Sequence, residues 1–198
     1  MLVSTSKKFV CLNPPKTGSG FRERVLEPFC DIATMDEKFP YPQKMRRHLQ
    51  VEDSNKFLQH NQIDTSDWFW FTFTRNPWAQ MQSWYRMRVV KQGAEQAPDF
   101  ETFISEVCSS NLNSQDFYLQ RNGKWLDFIG TQENLVADMQ YISDMFDLNL
   151  TPEQLKTKNN LCPGEINFKN KWTPQLIQTV GEFNKLTIQL KDYKFEGH

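Results

Sequence analysis

Seven consecutive residues, Trp68-Phe69-Trp70-Phe71-Thr72-Phe73-Thr74, are apolar or β-favouring without interruption. A strand with one face in water alternates, so an unbroken run of this length predicts a strand covered on both faces, as parallel-type strands are. It stops at Arg75-Asn76-Pro77, where Pro77 suits the first position of a helix running from Trp78 to about Val90. A shorter run, Lys8-Phe9-Val10-Cys11-Leu12, reads as a second buried strand that ends at Asn13-Pro14-Pro15, because proline removes ladder donors. After Lys16 to Gly20 the good helix formers from Phe21 to Glu27 predict a helix ending near Pro28. Trp125 to Gly130 predicts a third strand, followed by a helix over about 134–146 with Leu135, Met139, Ile142 and Phe146 at helical spacing. Thr151-Pro152-Glu153 and Thr173-Pro174-Gln175 each pair a capping residue with proline at the first helical position, opening two more helices.

Strand then helix, three times over, predicts an α/β fold: a three-layer sandwich around a central, mostly parallel sheet. No repeat or Gly/Ser linker divides the 198 residues, so one domain over 1–198 is expected, with the Pro- and charge-rich residues 34–47 as a loop. The net charge of −1 excludes a molecule-wide basic field of the kind nucleic acid requires. The charge is polarised, however: residues 1–91 hold 14 basic and 9 acidic side chains, net +5, and residues 92–198 are net −6. An anion, if one binds, belongs to the first half. Cys11, Cys30, Cys108 and Cys162 form no CxxC pair and have no histidine at zinc-finger spacing, so free thiols and no metal site are expected. No run approaches a signal-peptide core or the roughly 18 apolar residues of a membrane span, which predicts a cytoplasmic protein or a soluble domain of a longer one.

Two segments carry chemistry. In Pro15-Lys16-Thr17-Gly18-Ser19-Gly20-Phe21, small residues between a buried strand and a helix let backbone amides close around an oxyanion. The helix end adds roughly half a positive charge, and Lys16 a full one. The order differs from the Walker pattern GxxxxGK[ST], since the lysine precedes the glycines. In Thr74-Arg75-Asn76-Pro77-Trp78, with Ser83 eight residues after Arg75, a guanidinium and a hydroxyl two helical turns apart can face one phosphate. Taken singly, an ordinary strand-to-helix turn with a surface lysine, and an arginine that caps a neighbouring carbonyl, have the same composition.

In this order the two segments resemble the nucleotide loops of sulfotransferases that use 3′-phosphoadenosine 5′-phosphosulfate (PAPS). Lys16-Thr17-Gly18-Ser19 with Phe21 is similar to their 5′-phosphosulfate loop, and Arg75-Asn76-Pro77-Trp78 with Ser83 and Tyr85 to their 3′-phosphate loop. Asn122-Gly123-Lys124, Asp127-Phe128-Ile129-Gly130 and Glu133-Asn134-Leu135 with Asp138 resemble a region of the carbohydrate-type branch, and His48 sits where that branch usually has a histidine. The similarity spans roughly residues 8–150. It departs at Thr131, where an arginine is usual, and at Lys191 to Phe195, which match the family's ending only loosely.

The resemblance implies a P-loop-NTPase-like sulfotransferase fold and sulfuryl transfer from PAPS to an acceptor hydroxyl of a carbohydrate or small alcohol, or to an amine, leaving 3′,5′-ADP and needing no metal. It implies that Lys16 contacts the bridging oxygen, that the amides of Thr17, Gly18, Ser19 and Gly20 and the Thr17 and Ser19 hydroxyls wrap the phosphosulfate, and that Phe21 stacks on adenine. Arg75 and Ser83 would hold the 3′-phosphate. His48 would be the general base, with Glu23 as the rival; the alternative for His48 is one more polar residue in the basic stretch Lys44 to His48, which itself suits an acidic glycan acceptor. Two other readings stand beside this one: a P-loop nucleotide kinase using Mg-ATP, and a nucleotide-binding module without catalysis.

Overall fold

The computed structural model describes residues 1–33, 48–110, 114–156, 166–168 and 171–197. The expected loop over 34–47, the basic residues Lys44, Arg46 and Arg47, and Cys162 lie outside the described residues. In chain order the strands are β1 (Leu2–Ser4), β2 (Phe9–Cys11), β3 (Ile32–Ala33), β4 (Phe69–Thr74), β5 (Gln120–Arg121), β6 (Lys124–Trp125) and β7 (Phe128–Thr131). The helices are α1 (Ser19–Leu26), α2 (Val51–His60), α3 (Pro77–Gln92), α4 (Phe100–Ser109), α5 (Leu135–Met145), α6 (Pro152–Leu155), α7 (Pro174–Phe183) and α8 (Lys185–Lys191). They fall into two compact units, the first drawn from Met1–Thr74 and Phe117–Lys158, the second from Arg75–Asp116 and Asn159–His198.

The first unit is α/β. Its five-stranded sheet has the order β3-β1-β2-β4-β7, with β2–β4 and β4–β7 parallel and β1 antiparallel to both β2 and β3. The sheet is therefore mixed, which corrects the expectation of a mostly parallel one. The cause is local: Met1 to Ser4, too short to show a period, folds back on β2 with Leu2 opposite Cys11 and Ser4 opposite Phe9. Lys8, at φ 55°, turns the chain.

The long apolar strand β4 is covered on both faces, as its composition demands. On one face Phe9, Cys11, Phe71 and Phe73 pack with Phe21, Val25 and Leu26 of α1 and with Leu135, Met139 and Ile142 of α5. On the other, Val10, Leu12 and Trp70 pack with Phe57 and Leu58 of α2 and with Tyr118 and Leu126. Each such buried side chain contributes about 1.5–3 kcal/mol relative to exposure.

The strand expected over 125–130 is two pieces. Lys124–Trp125 pairs with Gln120–Arg121 across the turn Asn122-Gly123, at φ 51° and 75°, while Phe128–Thr131 joins the main sheet beside β4. Asp127, between them, accepts a hydrogen bond from the Trp70 amide at 2.7 Å. The rest of the motif is equally structural. A Cβ on Gly130 would lie 2.6 Å from Phe73 Cε1 and 2.9 Å from Asp138 Oδ2, and Asp138 Oδ2 accepts from the Thr131 amide at 2.7 Å.

The second unit is helical among its described residues, built from α3, α4, α7 and α8 around an aromatic core. Tyr85 lies 5.1 Å from Phe100, 5.4 Å from Phe103 and 6.1 Å from Phe168, and Trp172 bridges Phe100 and Phe195 at 4.9 and 5.5 Å. No helix among the described residues is long and apolar enough to cross a membrane.

Candidate anion-binding loop and candidate base

β2 delivers the chain to Asn13, and the loop from Pro14 to Gly18 leads into α1. Two residues take the left-handed conformation, Lys16 at φ 64° and Gly18 at φ 85°. At Gly18 this is where glycine is needed twice over, for the φ and because a Cβ would meet Leu135 Cδ2 at 3.0 Å. Gly18 is the N-cap of α1 and has no side chain to cap that end, and the first turn holds no acidic residue. The opening amides of a helix have no acceptor within it, and an end left open in this way, with Lys16 beside it, presents N–H groups and positive potential to an anion.

The loop is held from beneath by Arg22, which is fully buried. Its Nη1 donates to the Thr17 carbonyl at 2.5 Å, its Nη2 to Thr17 Oγ1 at 3.0 Å and its Nε to Asn13 Oδ1 at 3.1 Å, while the guanidinium lies 4.7 Å from the centre of the Phe73 ring. Thr17 is also fully buried, and its hydroxyl donates to the Pro14 carbonyl at 2.9 Å. The Thr17 hydroxyl, expected to wrap a ligand, is thus turned into the loop's own framework. Ser19 is buried at the start of α1, Gly18 and Lys16 are half-buried and Gly20 is exposed. Phe21, expected to stack on a base, sits in the core cluster with Arg24 over its ring at 5.2 Å.

Both candidate bases meet at Asn13. His48 Nδ1 lies 2.6 Å from the Asn13 carbonyl oxygen. A carbonyl can only accept, so Nδ1 carries the hydrogen and the neutral ring has its lone pair on Nε2. The His48 carbonyl in turn accepts from the Tyr118 hydroxyl at 2.6 Å, and burial pushes that phenol above its ordinary 10, keeping it a donor. Glu23 Oε1 accepts from Asn13 Nδ2 at 3.4 Å. Asn13 and Arg22 are the residues that sequence reasoning missed. The signal for Arg22 was an arginine on the apolar flank of a helix, one place after Phe21 and three before Val25; Asn13 carried no more than its position at a strand end.

Arg75 and Ser83 belong to the second unit. The Arg75 main chain is fixed by one side chain: Gln115 Oε1 accepts from its amide at 2.7 Å and Gln115 Nε2 donates to its carbonyl at 2.9 Å. Asn76 caps α3, accepting from the amides of Trp78 and Ala79 at 3.2 and 3.4 Å, and its Nδ2 donates to the Lys194 carbonyl at 2.8 Å. Ser83 is buried on α3, and Tyr85, two residues on, is a core residue whose hydroxyl donates to the Pro98 carbonyl at 3.1 Å. Among the described residues no group of three or more His, Cys, Asp or Glu side chains could hold a metal ion, and Cys11, Cys30 and Cys108 are free. Comparison of the chain with protein-family models, with curated proteins and with solved structures finds no match to any of them.

Proposed function

We propose that this chain is a sulfotransferase that moves a sulfuryl group from PAPS to an acceptor hydroxyl, within a P-loop-like α/β fold. One observation carries the reading: the loop that holds Lys16 runs from Asn13, whose carbonyl fixes His48 through Nδ1, to a helix start with glycine as its N-cap and no acid in its first turn. The amides from Gly18 to Gly20 fit an oxyanion, and the Lys16 ammonium fits the charge that develops on a bridging oxygen. PAPS supplies the activated sulfuryl group. His48 Nε2 takes the proton of the acceptor hydroxyl as the new S–O bond forms and the bond from sulfur to the bridging oxygen breaks, and Lys16 stabilises that oxygen as it leaves on the 5′-phosphate of 3′,5′-ADP. Arg75 and Ser83 are assigned to the 3′-phosphate by the motif they share with the family. The acceptor class that suits the reading is a carbohydrate or small alcohol.

Thermal unfolding with 3′,5′-ADP, 5′-AMP and Mg-ATP tests it. The expected result is stabilisation by 3′,5′-ADP, weakened in both Lys16→Ala and Arg75→Ala. Loss of one charged contact weakens binding about tenfold or more. For 5′-AMP, only Lys16→Ala matters. Stabilisation by Mg-ATP alone would make the chain a nucleotide kinase. Binding of 3′,5′-ADP with no transfer to any alcohol or glycan, and no effect of His48→Ala, would make it a binding module.

A further inference from the structure

We infer that Arg22 is a positioning residue that sets the oxyanion loop and the candidate base together, although it touches neither ligand nor proton. Its functional consequence rests on the sulfuryl-transfer reading; its geometry does not. One guanidinium donates to acceptors at both ends of the loop: Asn13 Oδ1 before it, and the Thr17 carbonyl and hydroxyl within it. By engaging the Thr17 carbonyl from inside, Arg22 fixes the peptide plane between Thr17 and Gly18, and hence the outward direction of the Gly18 amide. By engaging Asn13 Oδ1 it fixes the residue whose carbonyl receives His48 Nδ1 and whose Nδ2 donates to Glu23. A lysine supplies the same charge but not the fork, so it cannot span three acceptors at two positions.

The test uses the full chain with Arg22→Lys, Arg22→Met and, as a milder change, Thr17→Val. Three quantities are read: affinity for 3′,5′-ADP, hydrogen exchange of the amides at 17–20, and the His48 tautomer from its ring ¹⁵N shifts at alkaline pH. In the wild type His48 is a single Nδ1–H tautomer. In both Arg22 variants the loop amides exchange faster, His48 becomes a tautomer mixture, and affinity falls about tenfold or more. Full affinity in Arg22→Lys would overturn the inference, because charge alone would then suffice. Unchanged exchange and tautomer in Arg22→Met would overturn it too. If neither Arg22 variant unfolds cooperatively, Thr17→Val decides, with faster exchange at 18–20 expected and unchanged exchange fatal. Failure of the wild type to bind 3′,5′-ADP sinks the sulfuryl-transfer reading alone, since exchange and tautomer need no nucleotide.

Discussion

Gly130 shows how a residue that looks like part of a reaction motif can be demanded by packing. Its missing side chain lets Asp138 approach β7 and leaves room for the Phe73 ring, whose Cε1 and Cδ1 would lie 2.6 and 2.8 Å from a Cβ there. Phe73 is fully buried and cannot swing away. Gly130→Ala is therefore expected to destabilise the protein by about 2 kcal/mol or more, as overpacking at a rigid site does. Urea unfolding would show it as a lower midpoint with an unchanged slope. A second lesson at this scale concerns charge. Arg22 is buried where sequence patterning would place an apolar or a solvated residue, and nothing short of the loop's three-dimensional closure shows which carbonyls it must satisfy.

Elements were legible to the extent that their signals were local. The uninterrupted apolar run of β4, the Asn76-Pro77 start of α3 and the Thr-Pro starts of α6 and α7 are each written within a few neighbouring residues, and each forms at the expected place within one or two positions. The antiparallel β1 was not legible, because a three-residue strand has no period and is defined only by its partners. The helix α4 is written just as locally, since Asp99 caps it and Phe100, Phe103, Ile104 and Val107 follow at helical spacing. In the candidate site, the loop between β2 and α1 could be read from small residues between a strand and a helix. The network around Asn13 could not, since it joins positions 13, 22, 23 and 48. The capping of α3 offers a test at this level. Asn76→Ala removes two cap bonds and the bond to the Lys194 carbonyl, and should cost about 1–2 kcal/mol. Amides near Tyr193 and Phe195 should also exchange faster, because that segment loses its tie to the helix start.

At the scale of the molecule, acid should act through its carboxylates. Asp99 at the start of α4 is held below its ordinary 3.8 by the Thr102 amide, and Asp31 is held below the same value by the Thr5 hydroxyl and amide. A carboxylate whose folded pKa is depressed contributes stability that is present above the unfolded pKa and is lost as pH falls through the folded one. The urea midpoint is thus expected to drop from about pH 5 toward about pH 3. Asp99→Asn keeps a capping acceptor without the charge and should flatten part of that slope. An unaltered slope in this variant would remove Asp99 from the account.

The division of the chain also bears on how it is made. The described part of the first unit ends at Lys156, just after α6, whereas the aromatic core of the second needs Phe168, Trp172 and Phe195 near the C-terminus. During synthesis the loop, Arg22 and His48 can all be in place while α3 and α4 still wait for the partners that bury Tyr85 and Phe100. A ribosome stalled late in translation would then carry a finished β2–α1 loop joined to helices that protease can still cut.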